Sequence, residues 1–239
     1  APALLLRGQR PERRAHQIRV DGHLPRMSEA LRACAALPRI LPELDRLFGV
    51  PQPPQHHPEV DTGDHILRVL DCTAARGEPL EVRFAALVHD LGKGTTPPHE
   101  WPRHIAHESR SLPLIEALCE RLRVPAACRE IALSVARVHT NVHRALELRP
   151  QTLLKLLEQT DYFRRPERLD LVLRACECDA RGRAGLEQRP YPQADRIRVA
   201  PRAADSVDAG EIARATEDTK QIPQRIRKAR IAAIRAALD

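Results

Sequence analysis

A histidine and an aspartate stand side by side at the end of an apolar run. Residues 82–88 are apolar apart from Arg83, and His89 and Asp90 follow them directly. When such a pair is buried, both side chains lose hydration that only hydrogen bonds or a bound cation can replace. The pair therefore indicates a cation site at the end of a core helix.

An ion at this position needs further ligands, because adjacent residues on a helix point about 100° apart. His65 lies upstream in a helical segment, and Asp161 lies downstream after a leucine-rich run. Two imidazoles and two carboxylates without a thiolate favour Mg, Mn, Fe, Co or Ni over a structural zinc. The predicted divalent-metal ligands are His65, His89, Asp90 and Asp161.

Three segments carry a family resemblance. They are LPELDRLFGVPQPPQHHPEVDTGDH (41–65), LVHDLGKGTTPPHEWPRHIAHE (87–108) and CDARGR (178–183). Together they resemble the HD-domain metal-dependent phosphohydrolases, and in particular the HD domain of bacterial tRNA nucleotidyltransferases, the multifunctional CCA-adding proteins. The resemblance implies an all-α helical bundle that hydrolyses 2′,3′-cyclic phosphates or phosphomonoesters at nucleotide or RNA ends.

The same resemblance implies that the His89–Asp90 pair is catalytic and that two more histidines line the pocket. His107 and His139 are expected there, either around a second ion or as proton shuttles at neutral pH. Each shares a helix face with another histidine three or four residues away. One bound ion is preferred over two.

Basic side chains near the motifs suggest contacts with phosphate. Lys93 follows the HD pair by three residues and is expected to bind a phosphate oxygen, although a cation at a helix end also suits the helix dipole. Guanidinium groups match phosphates in a bidentate way. The arginines expected to hold an RNA backbone or the scissile phosphate are Arg164, Arg165, Arg181 and Arg183.

Three other polar residues are predicted to lie outside the site. Asp179 stands near two of these arginines in sequence and is expected only to pair with one of them. His56 and His57 lie in a proline-rich loop, where no helical face aims them inward. We therefore predict that both histidines are surface residues rather than metal ligands.

Composition favours helices and an anionic partner. Leu, Ala, Arg and Glu are abundant, only 10 residues are Gly, and aromatic residues make up 3%, which predicts aliphatic packing between helices. The 39 Lys and Arg residues outnumber 32 Asp and Glu residues, for a net charge of +7. This charge suits an anionic partner such as RNA, although arginine is also a common surface residue. The resemblance implies that the partner is a tRNA or RNA 3′ end, or a nucleotide.

The chain offers no membrane segment and no sign of disulfides. No run reaches the ~18 apolar residues of a membrane span, and the first residues do not form a signal peptide. The six cysteines are scattered, without a C-x-x-C pair, and are expected to be reduced. A cytoplasmic location follows from this cysteine pattern.

Three regions are predicted along the chain. Residues 1–25 form a basic, poorly ordered arm, residues 26–200 form the HD domain, and residues 201–239 form a helical tail that packs back on it. A nucleotidyltransferase head would need a Gly-Ser turn and a carboxylate pair on a strand, and neither pattern is found. The chain therefore resembles only the downstream half of the CCA-adding proteins.

Three functions remain open from the sequence. The first is a metal-dependent phosphohydrolase of nucleotide or RNA ends. The second is a non-catalytic tRNA-binding body that supports a separate nucleotidyltransferase head, and the third is a nucleotidase for free nucleotides. The clustered histidine and aspartate motifs favour hydrolysis, because RNA binding alone does not need metal ligands.

Overall fold

The computed structural model describes residues 30–238 and is built from helices. Within this range no strand forms, and a single backbone bridge joins Pro51 and Asp61. The all-α prediction is confirmed. The α-helices are α1 (Leu37–Ile40), α2 (Pro42–Asp45), α3 (Thr62–Ala75), α4 (Leu80–Val88), α5 (His107–Leu122), α6 (Ala126–His143), α7 (Pro150–Gln159), α8 (Glu167–Arg181), α9 (Pro192–Asp205), α10 (Ala209–Arg214) and α11 (Ile222–Leu238). Short 3₁₀ helices span Leu91–Thr95, Pro98–Glu100, Ala145–Glu147 and Thr219–Gln221.

Helix α6 is the central element of the bundle and packs against α4, α5 and α8. Its buried face alternates small and branched side chains, including Ala132, Val135, Ala136 and Val138. The alanines let α4 approach closely, and the valines fill the space beside them. Full burial of one such branched side chain contributes roughly 1.5–3 kcal/mol.

Helix α3 begins at Thr62 and is capped by Asp61. The carboxylate of Asp61 accepts a hydrogen bond from the backbone N–H of Asp64 at 3.0 Å, which satisfies one of the free donors of the first turn. The apolar face of α3, with Ile66, Val69 and Leu70, is fully buried. This burial fixes the rotation of the helix, so His65 on the adjoining turn also faces inward.

Two glycines allow close contacts at the ends of helices. A Cβ on Gly92 would collide with the carbonyl oxygen of His107, and one on Gly182 would lie 2.8 Å from Val69 Cα. Gly92 therefore lets the turn after α4 pack directly on α5. Gly182 lets the end of α8 pack directly on α3.

The predicted tail is part of the main core. Helix α9 runs through the predicted boundary at residue 200, and Ile234 of α11 is buried in the same apolar cluster as Ala194 and Ile197. Helix α11 begins at Ile222, with Pro223 in its first turn, where a missing N–H costs no helical hydrogen bond. The predicted arm, residues 1–25, lies outside the described residues.

The structure also bears on membrane-spanning segments and on the cysteines. Among residues 30–238, no helix combines the length and apolar character that crossing a membrane requires. All six cysteines are unpaired, and four of them are buried. The expectation of reduced cysteines is consistent with this arrangement.

Candidate metal centre

Three helices bring His65, His89 and Asp179 together. Nε2 of His65 on α3 lies 2.9 Å from Oδ1 of Asp179 on α8, and Nε2 of His89 lies 3.5 Å from Oδ2 of the same carboxylate. Each of the three residues is at most 4% exposed. Their ligand atoms are close enough to share one cation.

Asp179, rather than Asp161, stands beside these histidines. Asp161 lies in the turn between α7 and α8 with a left-handed backbone, and its carboxylate pairs with Arg168 at 3.4 Å and Arg164 at 3.5 Å. The structure therefore does not bring Asp161 to the centre. It also differs from the expectation that Asp179 pairs only with an arginine.

A signal for Asp179 was present in the sequence. Val172, Cys176 and Asp179 follow one another at spacings of four and three residues, which places them on one face of α8. The first two are fully buried. An aspartate on the buried face of a helix points into the core, away from arginines at the surface.

A second group of ligand atoms surrounds Oδ1 of Asp90. Nε2 of His107 lies 3.3 Å from this oxygen, Nε2 of His139 lies 3.5 Å from it, and the two nitrogens are 3.1 Å apart. The Nδ1 atoms of both rings contact backbone carbonyl oxygens, at 3.0 Å for His107 and 3.1 Å for His139.

These carbonyl contacts determine whether the Nε2 atoms of His107 and His139 donate or accept. A carbonyl oxygen only accepts, so both Nδ1 atoms donate, and a neutral ring then presents a lone pair at Nε2. Two lone pairs and a carboxylate oxygen cannot converge without a cation between them. That cation is either a proton shared by the His107 and His139 rings or a metal ion.

His89 follows the same rule. Its Nδ1 donates to the carbonyl oxygen of Ala86 at 2.9 Å, which leaves the Nε2 lone pair facing Asp90 and Asp179. Nε2 of His89 and Oδ1 of Asp90 are both buried without a hydrogen-bond partner. Buried polar atoms without partners are rare and mark missing ions or waters. The donor set therefore fits a divalent metal ion.

The charges of the centre depend on one another. Burial alone would lower the pKa of His89, but the Asp90 and Asp179 carboxylates outweigh burial and raise it to about 9. Burial opposes the charge of Asp90, yet Lys93 and His89 hold the pKa of this carboxyl well below its usual range. Burial also opposes the charge of Asp179, but His143 and His89 hold the pKa of this carboxyl well below its usual range. Both carboxylates are therefore ionised at neutral pH, as a metal ligand must be.

Glu59 is an outer residue that the sequence analysis missed. Its Oε1 lies 3.0 Å from Nδ1 of His57. The same oxygen lies 2.9 Å from Nδ1 of His65, but the angle of this contact is not that of a hydrogen bond. The predicted surface position of His57 is wrong, because this residue is only 8% exposed. The backbone bond from Gln52 to Val60 folds the loop back and turns His57 inward.

Glu59 is placed to position His65. A carboxylate near Nδ1 favours a proton on that nitrogen and leaves Nε2 free as a ligand. Replacing Glu59 with Gln is expected to weaken metal affinity about tenfold or more, as loss of such outer contacts does. Titration of the metal-free variant with Mn²⁺ in a calorimeter measures the change.

The matched control for this prediction is Glu177→Gln, which removes a partly exposed carboxylate that pairs with Arg76 and Arg181. Its metal affinity is expected to equal that of the unmodified protein. Equal affinities for the Glu59 and Glu177 variants would show that Glu59 does not position the ligand.

Lys93 lies in the centre, as expected. Its ammonium group is 2.7 Å from Oδ2 of Asp90 and donates to Oε1 of Gln52 at 2.5 Å. The residue is 7% exposed. A buried ammonium beside the ion ligands can reach a phosphate oxygen only if the phosphate enters the centre itself.

The four predicted phosphate-binding arginines separate into two pairs. Arg164 and Arg165 lie at the turn after α7, where they pair with Asp161 and Glu130, and the structure does not bring them to the centre. Arg181 and Arg183 lie at the end of α8, close to Asp179. Of this second pair, Arg181 pairs with Glu177 at 2.9 Å.

His104 and His143 lie beside the centre but are not among the proposed ligands. His104 contacts the Pro51 carbonyl oxygen at 2.8 Å and the Thr96 hydroxyl at 2.9 Å, so it fastens two loops together. Nε2 of His143 lies 2.6 Å from Oδ2 of Asp179. Burial lowers the pKa of both histidines, which favours their neutral forms at pH 7.

Comparisons with known proteins agree with this geometry. The family model described as HD domain matches residues 62–180, a range that begins with α3 and includes Asp179. Three curated relatives are each named Multifunctional CCA protein. The one from Nitrosospira multiformis is 56% identical over 227 residues, which is 92% of this chain and 55% of that protein.

The other two relatives give similar values. The protein from Cupriavidus metallidurans is 57% identical over 210 residues, 87% of this chain and 51% of the relative. The protein from Burkholderia cenocepacia strain HI2424 is 56% identical over 214 residues, 89% of this chain and 52% of the relative. The chain thus spans about half the length of these relatives. No solved structure matches significantly.

Proposed function

Because this chain belongs to the HD-domain family, we propose that it is a divalent-metal-dependent phosphohydrolase acting at nucleotide or RNA 3′ ends. The observation that supports this most directly is that Nε2 of His89 and Oδ1 of Asp90 are buried without a hydrogen-bond partner, with the Nε2 atoms of His107 and His139 close to the same oxygen. A non-catalytic RNA-binding body gives no reason to bury such costly groups without partners. The relatives' name supports an RNA end as the substrate.

Two ions, rather than the single ion preferred from the sequence, suit the two ligand groups. We propose that His65, His89, Asp90 and Asp179 hold one ion. His107, His139 and Asp90 would hold a second ion. The bound ions would polarise the phosphoryl group and lower the pKa of a water nucleophile.

The remaining side chains orient the substrate and move protons. Lys93 donates to a non-bridging phosphate oxygen and offsets charge that develops there. His143 is the nearest histidine outside the ligand groups, and it links Asp179 to the hydroxyl of Tyr191 at 2.9 Å. A neutral imidazole in this position can relay a proton toward the leaving oxygen.

A 2′,3′-cyclic phosphate suits this centre as a substrate. It carries one negative charge and a strained ring, so its opening needs a delivered hydroxide and a stabilised leaving oxygen. Among the described residues, Lys93 is the one lysine or arginine that contacts an ion ligand of the centre. Phosphomonoesters are the second substrate class.

Hydrolysis is expected to require both a divalent ion and the HD pair. In a screen of Mg²⁺, Mn²⁺, Co²⁺ and Ni²⁺ with 2′,3′-cyclic AMP, the His89→Ala and Asp90→Ala variants are expected to fall to the level of chelated protein, because each lacks an ion ligand. Metal analysis is expected to give close to two ions per chain in the unmodified protein.

The control is His56→Ala, which removes an exposed histidine from the nearby loop. Its turnover is expected to be unchanged. Undiminished hydrolysis in His89→Ala would rule out the proposed centre. Equal turnover of mononucleotides and RNA ends would instead favour the free-nucleotide enzyme.

A further inference from the structure

A cavity of about 110 Å³ lies beside the metal centre, on the far side of the proposed proton relay. Its walls include His143 and Tyr191, and the Tyr191 hydroxyl lies 2.9 Å from Nδ1 of His143. Because the other nitrogen of His143 contacts Asp179 at 2.6 Å, one imidazole ring separates the cavity from an ion ligand. The cavity therefore lies next to the proposed ion site.

The cavity is lined by three arginines that differ in their partners. Arg181 is engaged, because it donates to Glu177 at 2.9 Å and to the Glu187 carbonyl oxygen at 2.9 Å. The side chains of Arg183 and Arg189 make no hydrogen bond or ion pair within residues 30–238. Arg189 is exposed at the rim, whereas Arg183 is half-buried.

Among the three arginines, Arg183 indicates what the cavity binds. Its Nε atom is buried and has no hydrogen-bond partner. Leaving a charged donor buried and unpaired costs more than leaving a neutral one. An anionic oxygen in the cavity would satisfy this donor, and a guanidinium is well suited to phosphate.

A second unpaired atom narrows the ligand class. Oε1 of Gln193, which also lines the cavity, is buried without a partner. An amide oxygen accepts hydrogen bonds and would not face the ionised oxygens of a phosphate favourably. A ligand that carries a hydroxyl together with anionic oxygens satisfies both atoms, and a ribose phosphate is such a ligand.

We propose that this cavity is a subsite for the 5′-phosphate and ribose of the terminal nucleotide. The inference rests on the proposed function, since it assumes that the metal centre acts on the 3′ side of the same nucleotide. Arg183 binds the 5′-phosphate. Gln193 accepts from the 2′- or 3′-hydroxyl that is free in a phosphomonoester, in AMP and in the product of ring opening. The subsite therefore selects nucleotides that continue into a chain, or that carry a free 5′-phosphate, over nucleosides that lack one.

Binding to chelated protein tests the subsite without any need for catalysis. AMP is expected to bind about tenfold or more tightly than adenosine or inorganic phosphate, as one added charge-assisted hydrogen bond predicts. Arg183→Gln should reduce AMP affinity to that of adenosine. The matched control is Arg164→Gln, since Arg164 is exposed at a distant turn. Unchanged melting temperatures show that both variants fold.

Two outcomes would overturn the proposal: AMP affinity that survives Arg183→Gln, or inorganic phosphate that binds as tightly as AMP. A second arm uses metal-loaded protein and compares 2′,3′-cyclic AMP with and without a 5′-phosphate. The ratio of the two kcat/KM values should fall about tenfold in Arg183→Gln. If neither compound is hydrolysed, the phosphohydrolase function fails, while the binding arm still decides the subsite.

Discussion

Replacing Asp179 with Asn is expected to remove metal binding at the centre and with it all metal-dependent hydrolysis. Asp179 contacts both His65 and His89, and the amide cannot supply the negative charge that a divalent ion requires. The loss of affinity should exceed the roughly 10–100-fold effect of outer contacts, because Asp179 is a proposed ligand. Metal analysis after dialysis and calorimetric titration with Mn²⁺ measure it.

The matched control is Asp161→Asn, the same chemical change at the position the sequence suggested. Asn tolerates the left-handed backbone of that turn, and the lost ion pairs are partly exposed. Its cost should be within about 1 kcal/mol of unfolding free energy, with unchanged metal affinity. If Asp161→Asn abolished metal binding and Asp179→Asn did not, the ligand assignment would be reversed.

Metal affinity is expected to rise steeply with pH between about 6.5 and 9. With a pKa of about 9, His89 carries a proton at neutral pH before the ion binds. The ion needs the neutral ring, so binding releases this proton, and affinity should increase about tenfold per pH unit below that pKa. Calorimetric titration with Mg²⁺ at several pH values measures the slope of metal affinity against pH. Repeating it in buffers of different ionisation enthalpy counts the protons that are released.

The stability of metal-free protein should change in the opposite direction. Because folding raises the pKa of His89 above its usual value of 6.5, its protonation stabilises the fold fully below pH 6.5. This contribution is lost as pH rises through 9. A His56→Ala variant should show the same pH slopes as the unmodified protein. A metal affinity that stays constant from pH 7 to 9 would contradict proton displacement at His89.

Local patterns in the sequence determined the helical fold and the centre of the site. Aliphatic side chains at three- and four-residue spacing, few glycines and a capping aspartate at Asp61 predict helices without reference to distant residues. The adjacent His89 and Asp90 at the end of an apolar run indicated a cation for the same local reason. These features depend on neighbours within one or two helical turns.

Only the tertiary structure decided which distant side chains complete the centre. Asp161 and Asp179 both follow helical apolar residues, but the packing of α8 on α3 and α4 brings its last turn to His65. Gly182 permits that close contact. Glu59 lies only six residues before His65, yet its loop points inward because a bridge between Pro51 and Asp61 closes it. Long-range packing, which no local pattern contains, selects among chemically equivalent carboxylates.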